Sequence, residues 1–88
     1  FGKLRVEGRD AEAFLNYICG GDMSGPVGKI TYSQFLNNAG GIEADVTVTR
    51  LAEDAYLVVT PAATRQADEI WLRRHVGDQN VVITDVTP

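Results

Sequence analysis

From Ile42 to Leu51 the side chains alternate, with Ile42, Ala44, Val46 and Val48 on one side and Glu43, Asp45, Thr47 and Thr49 on the other. A period of two marks a half-buried strand with one dry face and one wet face. Just before it, Asn37-Asn38-Ala39-Gly40-Gly41 is dense turn chemistry, and the stretch from about Lys29 to Leu36 again reads as a strand. The centre of the chain is therefore a pair of strands, and the rest has to pack around them.

Ahead of this pair, Leu4 and Val6 alternate with Lys3, Arg5 and Glu7, which predicts a strand over residues 1–7. Asp10 is a good N-cap for a helix whose apolar face is Ala11, Phe14, Leu15, Ile18 and Cys19, with Gly20-Gly21 as the stop. Asp22 to Gly28 is a loop. After the second strand of the pair, Ala52-Glu53-Asp54 turns the chain into Ala55 to Val59, an apolar run that suits a central strand. Thr60 as N-cap and Pro61 at the first helical position predict a second helix, with Ala63, Ala67, Ile70, Trp71 and the stem of Arg74 inward and Gly77 at its end. Val81 to Val86 is a last strand. The order strand, helix, three strands, helix, strand predicts an α+β fold, a mostly antiparallel sheet with both helices on one face.

At 88 residues the chain has room for a single domain. Eight Lys+Arg against twelve Asp+Glu give a net charge of −4, which argues against a nucleic-acid partner or an anionic membrane surface. No apolar run approaches the roughly 20 residues that cross a bilayer. Cys19 and His75 are too few soft ligands for a structural zinc site, and no metal is expected. The start at Phe1 and the stop at Pro88 read as the ends of a piece of a longer protein.

Asp45 is the most informative residue, because aspartate is depleted in strands and this one stands beside Val46-Thr47-Val48-Thr49. A two- or four-residue hairpin loop sets Tyr32 opposite Asp45 and Gln34 opposite Glu43, bringing a phenol, an amide and two carboxylates together on one face. A three-residue loop parts Tyr32 from Asp45 unless a bulge absorbs the extra residue. The plainer account is that Glu43, Asp45, Thr47 and Thr49 form the solvated side of the sheet. Against it, Ile30, Tyr32, Gln34 and Leu36 are amphipathic, which suits a pocket wall. Gly25-Pro26-Val27-Gly28-Lys29 precedes a strand and lacks the helix entry of a phosphate loop, so it reads as a turn. His75 and Arg73-Arg74 suit a helix C-terminus, and Cys19 suits a small buried position.

The stretch from Gly28 to Leu51 resembles the tetrahydrofolate-binding domain of the glycine-cleavage T-protein (aminomethyltransferase) family, through Tyr32, Asn37, Gly40-Gly41-Ile42 and Asp45. Phe1-Gly2-Lys3, Gly8-Arg9-Asp10-Ala11 and Trp71-Leu72 support it. Within the family it looks closest to the folate domain fused behind the flavin domain of dimethylglycine and sarcosine dehydrogenases. T-proteins carry two acids at the end of the motif, and here the first is Ala44.

The resemblance implies that residues 1–88 are a fragment of a folate-binding domain. That domain helps move a one-carbon unit from an iminium to tetrahydrofolate. The family's conserved acid then falls on Asp45, the candidate catalytic residue, and its pterin-side tyrosine on Tyr32. Gln34 and Glu43 join these two as candidate folate-side residues through the shared strand face read above. FAD belongs to the parent protein and not to this fragment. The other partners are an N-methylated amine and the rest of the parent chain. The location implied is the cytoplasm of a bacterium or the mitochondrial matrix of a eukaryote. Two alternatives stand beside this reading. One is a piece of a free-standing aminomethyltransferase. The other is a non-catalytic α+β interaction module that tolerates Asp45→Ala.

Overall fold

The structure is a computed structural model that describes residues 1–36 and 42–87, without the side chains at 36, 42, 43 and 44. The turn expected over residues 37–41 lies outside the described residues. The elements are β1 (Gly2–Glu7), α1 (Ala11–Cys19), β2 (Ile30–Leu36), β3 (Ile42–Ala52), β4 (Ala55–Thr60), a 3₁₀ turn (Ala62–Thr64), α2 (Arg65–His75) and β5 (Val82–Asp85). The five strands form one sheet in the order β2-β3-β4-β1-β5 with antiparallel pairing throughout. This is the expected α+β class.

Sheet pairing is local from β2 to β4 and long-range at β1, which slots between β4 and β5. There Leu4 pairs with Val58 and Val6 with Tyr56 on one side, while Val6 pairs with Ile83 on the other. The alternation read from the sequence thus becomes one dry face. Leu4, Val6, Val46, Val48, Tyr56 and Val58 are buried there together with Phe14, Leu15 and Ile18 of α1 and Leu72 of α2. Burying each large apolar side chain contributes about 1.5–3 kcal/mol, and this shared cluster holds both helices on the same side.

The helix ends differ in detail from the sequence expectation. Asp10 makes no side-chain cap; its Oδ2 accepts from the Asn80 backbone N–H at 2.8 Å, so it ties the start of α1 to the chain ahead of β5. Gly20 (φ 61°) and Gly77 (φ 57°) do adopt the left-handed conformation that stops a helix. Thr60 is the last residue of β4 and not an N-cap. Pro61 is extended (φ −60°, ψ 143°), and α2 begins only after the 3₁₀ turn.

This later start changes the inner face of α2. Leu72 and Asp68, one turn apart, are buried, whereas Ala63, Ala67, Ile70 and Arg74 point outward and Ile70 is 58% exposed. Trp71 is partly buried and stacks on Phe35 at 5.2 Å between ring centroids. With its ring flat on Phe35, the next side chain round the helix, Leu72, turns into the core. Asp68 accepts a hydrogen bond from the Thr64 hydroxyl at 2.8 Å. His75 sits against Trp71, its Nδ1 2.7 Å from the Trp71 carbonyl oxygen, in agreement with a structural role.

Arg50 is a tie that the sequence reading passed over. Its guanidinium donates to Glu12 Oε1 (3.0 Å), Gly25 O (3.0 Å) and Glu53 O (2.7 Å), and lies 5.3 Å from the centre of the Tyr56 ring. One side chain therefore joins α1, the loop before β2 and the β3–β4 turn.

Cys19 is buried at the end of α1, and burial pushes its thiol up to about 11, against a smaller downward pull from the Ser33 hydroxyl. At pH 8 the folded chain should react with a thiol reagent about 100-fold more slowly than the urea-unfolded chain. Equal rates would contradict the buried placement. The folded value lies above 9.0, so this group's contribution to stability is present below pH 9 and is lost as pH rises toward 11. Among the described residues no helix is long and apolar enough to cross a membrane.

Candidate functional site

The sheet ends unevenly, and the candidate residues gather where it does. Pairing between β3 and β4 begins at Thr47 with Val59, and β4 stops at Thr60 because Pro61 has no N–H to extend the ladder. On the other side β3 stays paired with β2 as far as Leu36 with Ile42. The β2–β3 ribbon therefore projects past the ends of β4 and β1. The step beside it is a groove of about 680 Å³. That volume suits a small-molecule site.

The register differs from the expected one by two residues. Tyr32 pairs with Thr47, and Gln34, not Tyr32, stands opposite Asp45. A register shift between Phe35 and Leu36 keeps all four on the same face, the bulge outcome allowed for above. Gln34 Nε2 donates to Asp45 Oδ1 at 3.1 Å. Tyr32 lies diagonally across from Asp45, and its ring is 82% exposed. Gln34 therefore does not stand opposite Glu43 as expected, because the register pairs it with Asp45; the Glu43 side chain lies outside the described residues.

Both faces of the sheet contribute to the groove. Tyr32, Gln34, Asp45 and Thr47 line it from the side opposite the helices, and Ser33, Val46 and Thr60 from the helix side. Gly20, at the end of α1, and Pro61 also line it. Of these, Ser33 is not singled out by the sequence, and Thr60 reads there only as a helix N-cap. Ser33 donates to the Cys19 carbonyl at 3.4 Å. The only hint of Thr60's place was a hydroxyl residue at the end of an apolar run.

The chemistry available is that of recognition and charge stabilisation. The Gln34 amide occupies one carboxylate oxygen of Asp45, which fixes the group and leaves Oδ2 to accept from a ligand. A planar ligand with two adjacent N–H donors matches such a carboxylate, and the exposed Tyr32 ring offers a flat apolar surface beside it.

These features define a small antiparallel α+β unit with an acid-bearing groove at one end of its sheet. More particularly, the chain belongs to the GCVT N-terminal domain family, which matches residues 1–88. It is 37% identical over 87 residues to a 4-methylaminobutanoate oxidase (formaldehyde-forming) of Paenarthrobacter nicotinovorans, covering 99% of this chain and 11% of that protein. It is 32% identical to an aminomethyltransferase of Thermotoga neapolitana, covering 98% of this chain and 24% of that protein. The crystal structure of the glycine cleavage system aminomethyltransferase T from Bartonella henselae superposes with a TM-score of 0.91 at 31% identity, covering 97% of this chain and 24% of that one. The chain thus spans between about a tenth and a quarter of the length of these relatives.

Proposed function

We propose that these residues form one wall of a reduced-folate site in an enzyme that oxidises an N-methylated amine of the dimethylglycine or sarcosine kind. The observation that carries the reading is the Gln34–Asp45 pair facing the groove beside Tyr32. The 37% identical relative supports the amine side, since its name describes an N-methyl amine oxidised with release of formaldehyde. Formaldehyde and the methylene carried by 5,10-methylenetetrahydrofolate are at the same oxidation level. Ala44, where T-proteins have a second acid, supports the oxidase-linked type over a free-standing aminomethyltransferase.

In this reading FAD, held by other parts of the polypeptide, supplies the two-electron oxidation that turns the amine into an iminium. The residues of this chain act afterwards. The Asp45 carboxylate accepts from N–H groups of the pterin and so orients it. When a folate nitrogen attacks the iminium carbon, the C=N π electrons move onto the amine nitrogen and the attacking nitrogen becomes positive. The carboxylate stabilises that charge and can take up the proton that leaves. Ring closure by the second folate nitrogen then breaks the C–N bond to the demethylated amine, which departs. Gln34 holds the carboxylate in place, and Tyr32 supports the flat ring system.

Product analysis on the full-length protein tests this. With sarcosine or dimethylglycine as substrate, adding tetrahydrofolate should divert the released carbon from formaldehyde to 5,10-methylenetetrahydrofolate. Unchanged formaldehyde yield at saturating folate would count against the reading. Transfer that instead requires an aminomethylated carrier would favour the free-standing aminomethyltransferase, in line with the 32% identical relative.

A further inference from the structure

We infer that Thr60 is a second ligand-binding residue of the groove, donating its hydroxyl proton to an acceptor atom of the bound folate; this rests on the folate reading above. Thr60 is fully buried, and its Oγ1 has no hydrogen-bond partner among the described residues. A buried hydroxyl left unpaired is destabilising, and valine has the same shape without that cost. The preceding residues of β4 are Leu57, Val58 and Val59, so the strand already favours such a side chain. The hydroxyl is retained at the last residue of β4, where the strand lines the groove together with Val59 and pairing with β3 has already stopped.

Its setting gives the hydroxyl a route to a ligand. Thr60 pairs with Gly2, and a β-carbon at Gly2 would lie 2.7 Å from Oγ1 and collide with Cγ of Arg65. The glycine leaves room for Oγ1, and the cover beside it is the flexible stem of Arg65, not backbone. Phe1 and Pro61, next to Gly2 and Thr60 in the chain, line the same groove, so displacement of that stem is the route by which a ligand would reach Oγ1. The two anchors are also complementary in kind. A carboxylate at Asp45 accepts only, whereas a hydroxyl can donate. A pterin carries both N–H donors and carbonyl and ring-nitrogen acceptors, so the two residues would engage different atoms of a ligand that spans the end of the sheet from one face to the other.

The test is calorimetric titration of the full-length protein with 5-formyltetrahydrofolate, together with thermal melting. Thr60→Val should weaken affinity about tenfold, the scale of one lost hydrogen bond, while melting no lower than the unmodified protein. Thr60→Ser should bind within about threefold of the unmodified protein, because it keeps the donor. If valine prevents folding, Thr60→Ala repeats the comparison without the hydroxyl. Unchanged affinity for Thr60→Val alongside lost affinity for Asp45→Asn would overturn the role of Thr60 and leave the folate site standing. No binding by the unmodified protein would instead overturn the folate reading and the inference with it.

Discussion

Replacing Arg50 with alanine should cost about 2–3 kcal/mol of stability, read as a lower urea midpoint at an unchanged slope. The side chain is 13% exposed and serves three separate segments. Its loss uncovers the carbonyls of Gly25 and Glu53 and leaves Glu12 with the Tyr56 hydroxyl at 3.3 Å. Glu12 itself is 40% exposed, so water recovers part of the ion pair and holds the loss below that of a fully buried pair. Lysine in its place keeps the charge but cannot reach three acceptors at once, so Arg50→Lys should recover less than half of the loss. For a chain of this length, expected to be stable by about 4–13 kcal/mol, the effect is large. A change under about 0.5 kcal/mol, ordinary for a surface residue, would show that the clamp does not hold the fold together.

Asp45→Asn should leave the fold intact and weaken folate binding by about 10–100-fold, as expected for losing a charge-assisted acceptor. Asparagine keeps an oxygen for the Gln34 amide, and position 45 is exposed, so the melting temperature should stay within about 2 °C. The same substitution should slow one-carbon transfer more than it weakens binding, because the carboxylate also faces the positive charge that forms during attack. Equal binding by Asp45→Asn would reduce Asp45 to an ordinary residue on a wet sheet face.

What could be read in advance follows the physics of each signal. Alternation at Leu4, Val6, Val46 and Val48 is strong because one side of a strand is wholly buried, and those residues are indeed in the core. The apolar face of α1 was equally legible, since all five of its expected inward residues are buried. The face of α2 was not. That helix has few apolar residues, and its phase is set by Trp71 lying on Phe35, a contact between distant parts of the chain.

At the site, the shared face of Tyr32, Gln34 and Asp45 could be read, but which residues stand opposite one another could not. Strand register depends on the turn and on the shift between Phe35 and Leu36, and alternation is blind to a displacement of two residues. Arg50 did leave a trace. It continues the inward parity of Val46 and Val48, where a charged residue needs buried partners. Those partners come from three segments, and so they became visible only in the fold.

The central claim is that the groove beside Gln34 and Asp45 holds a reduced folate. An amide-resolved NMR titration with 5-formyltetrahydrofolate tests it most directly, following the backbone signals of residues 30–36 and 45–48 together with Thr60. Saturable shifts clustered on those residues, and absent from Asp45→Asn, are the result predicted. A well-folded protein whose signals do not move, or move only away from the groove, would contradict it.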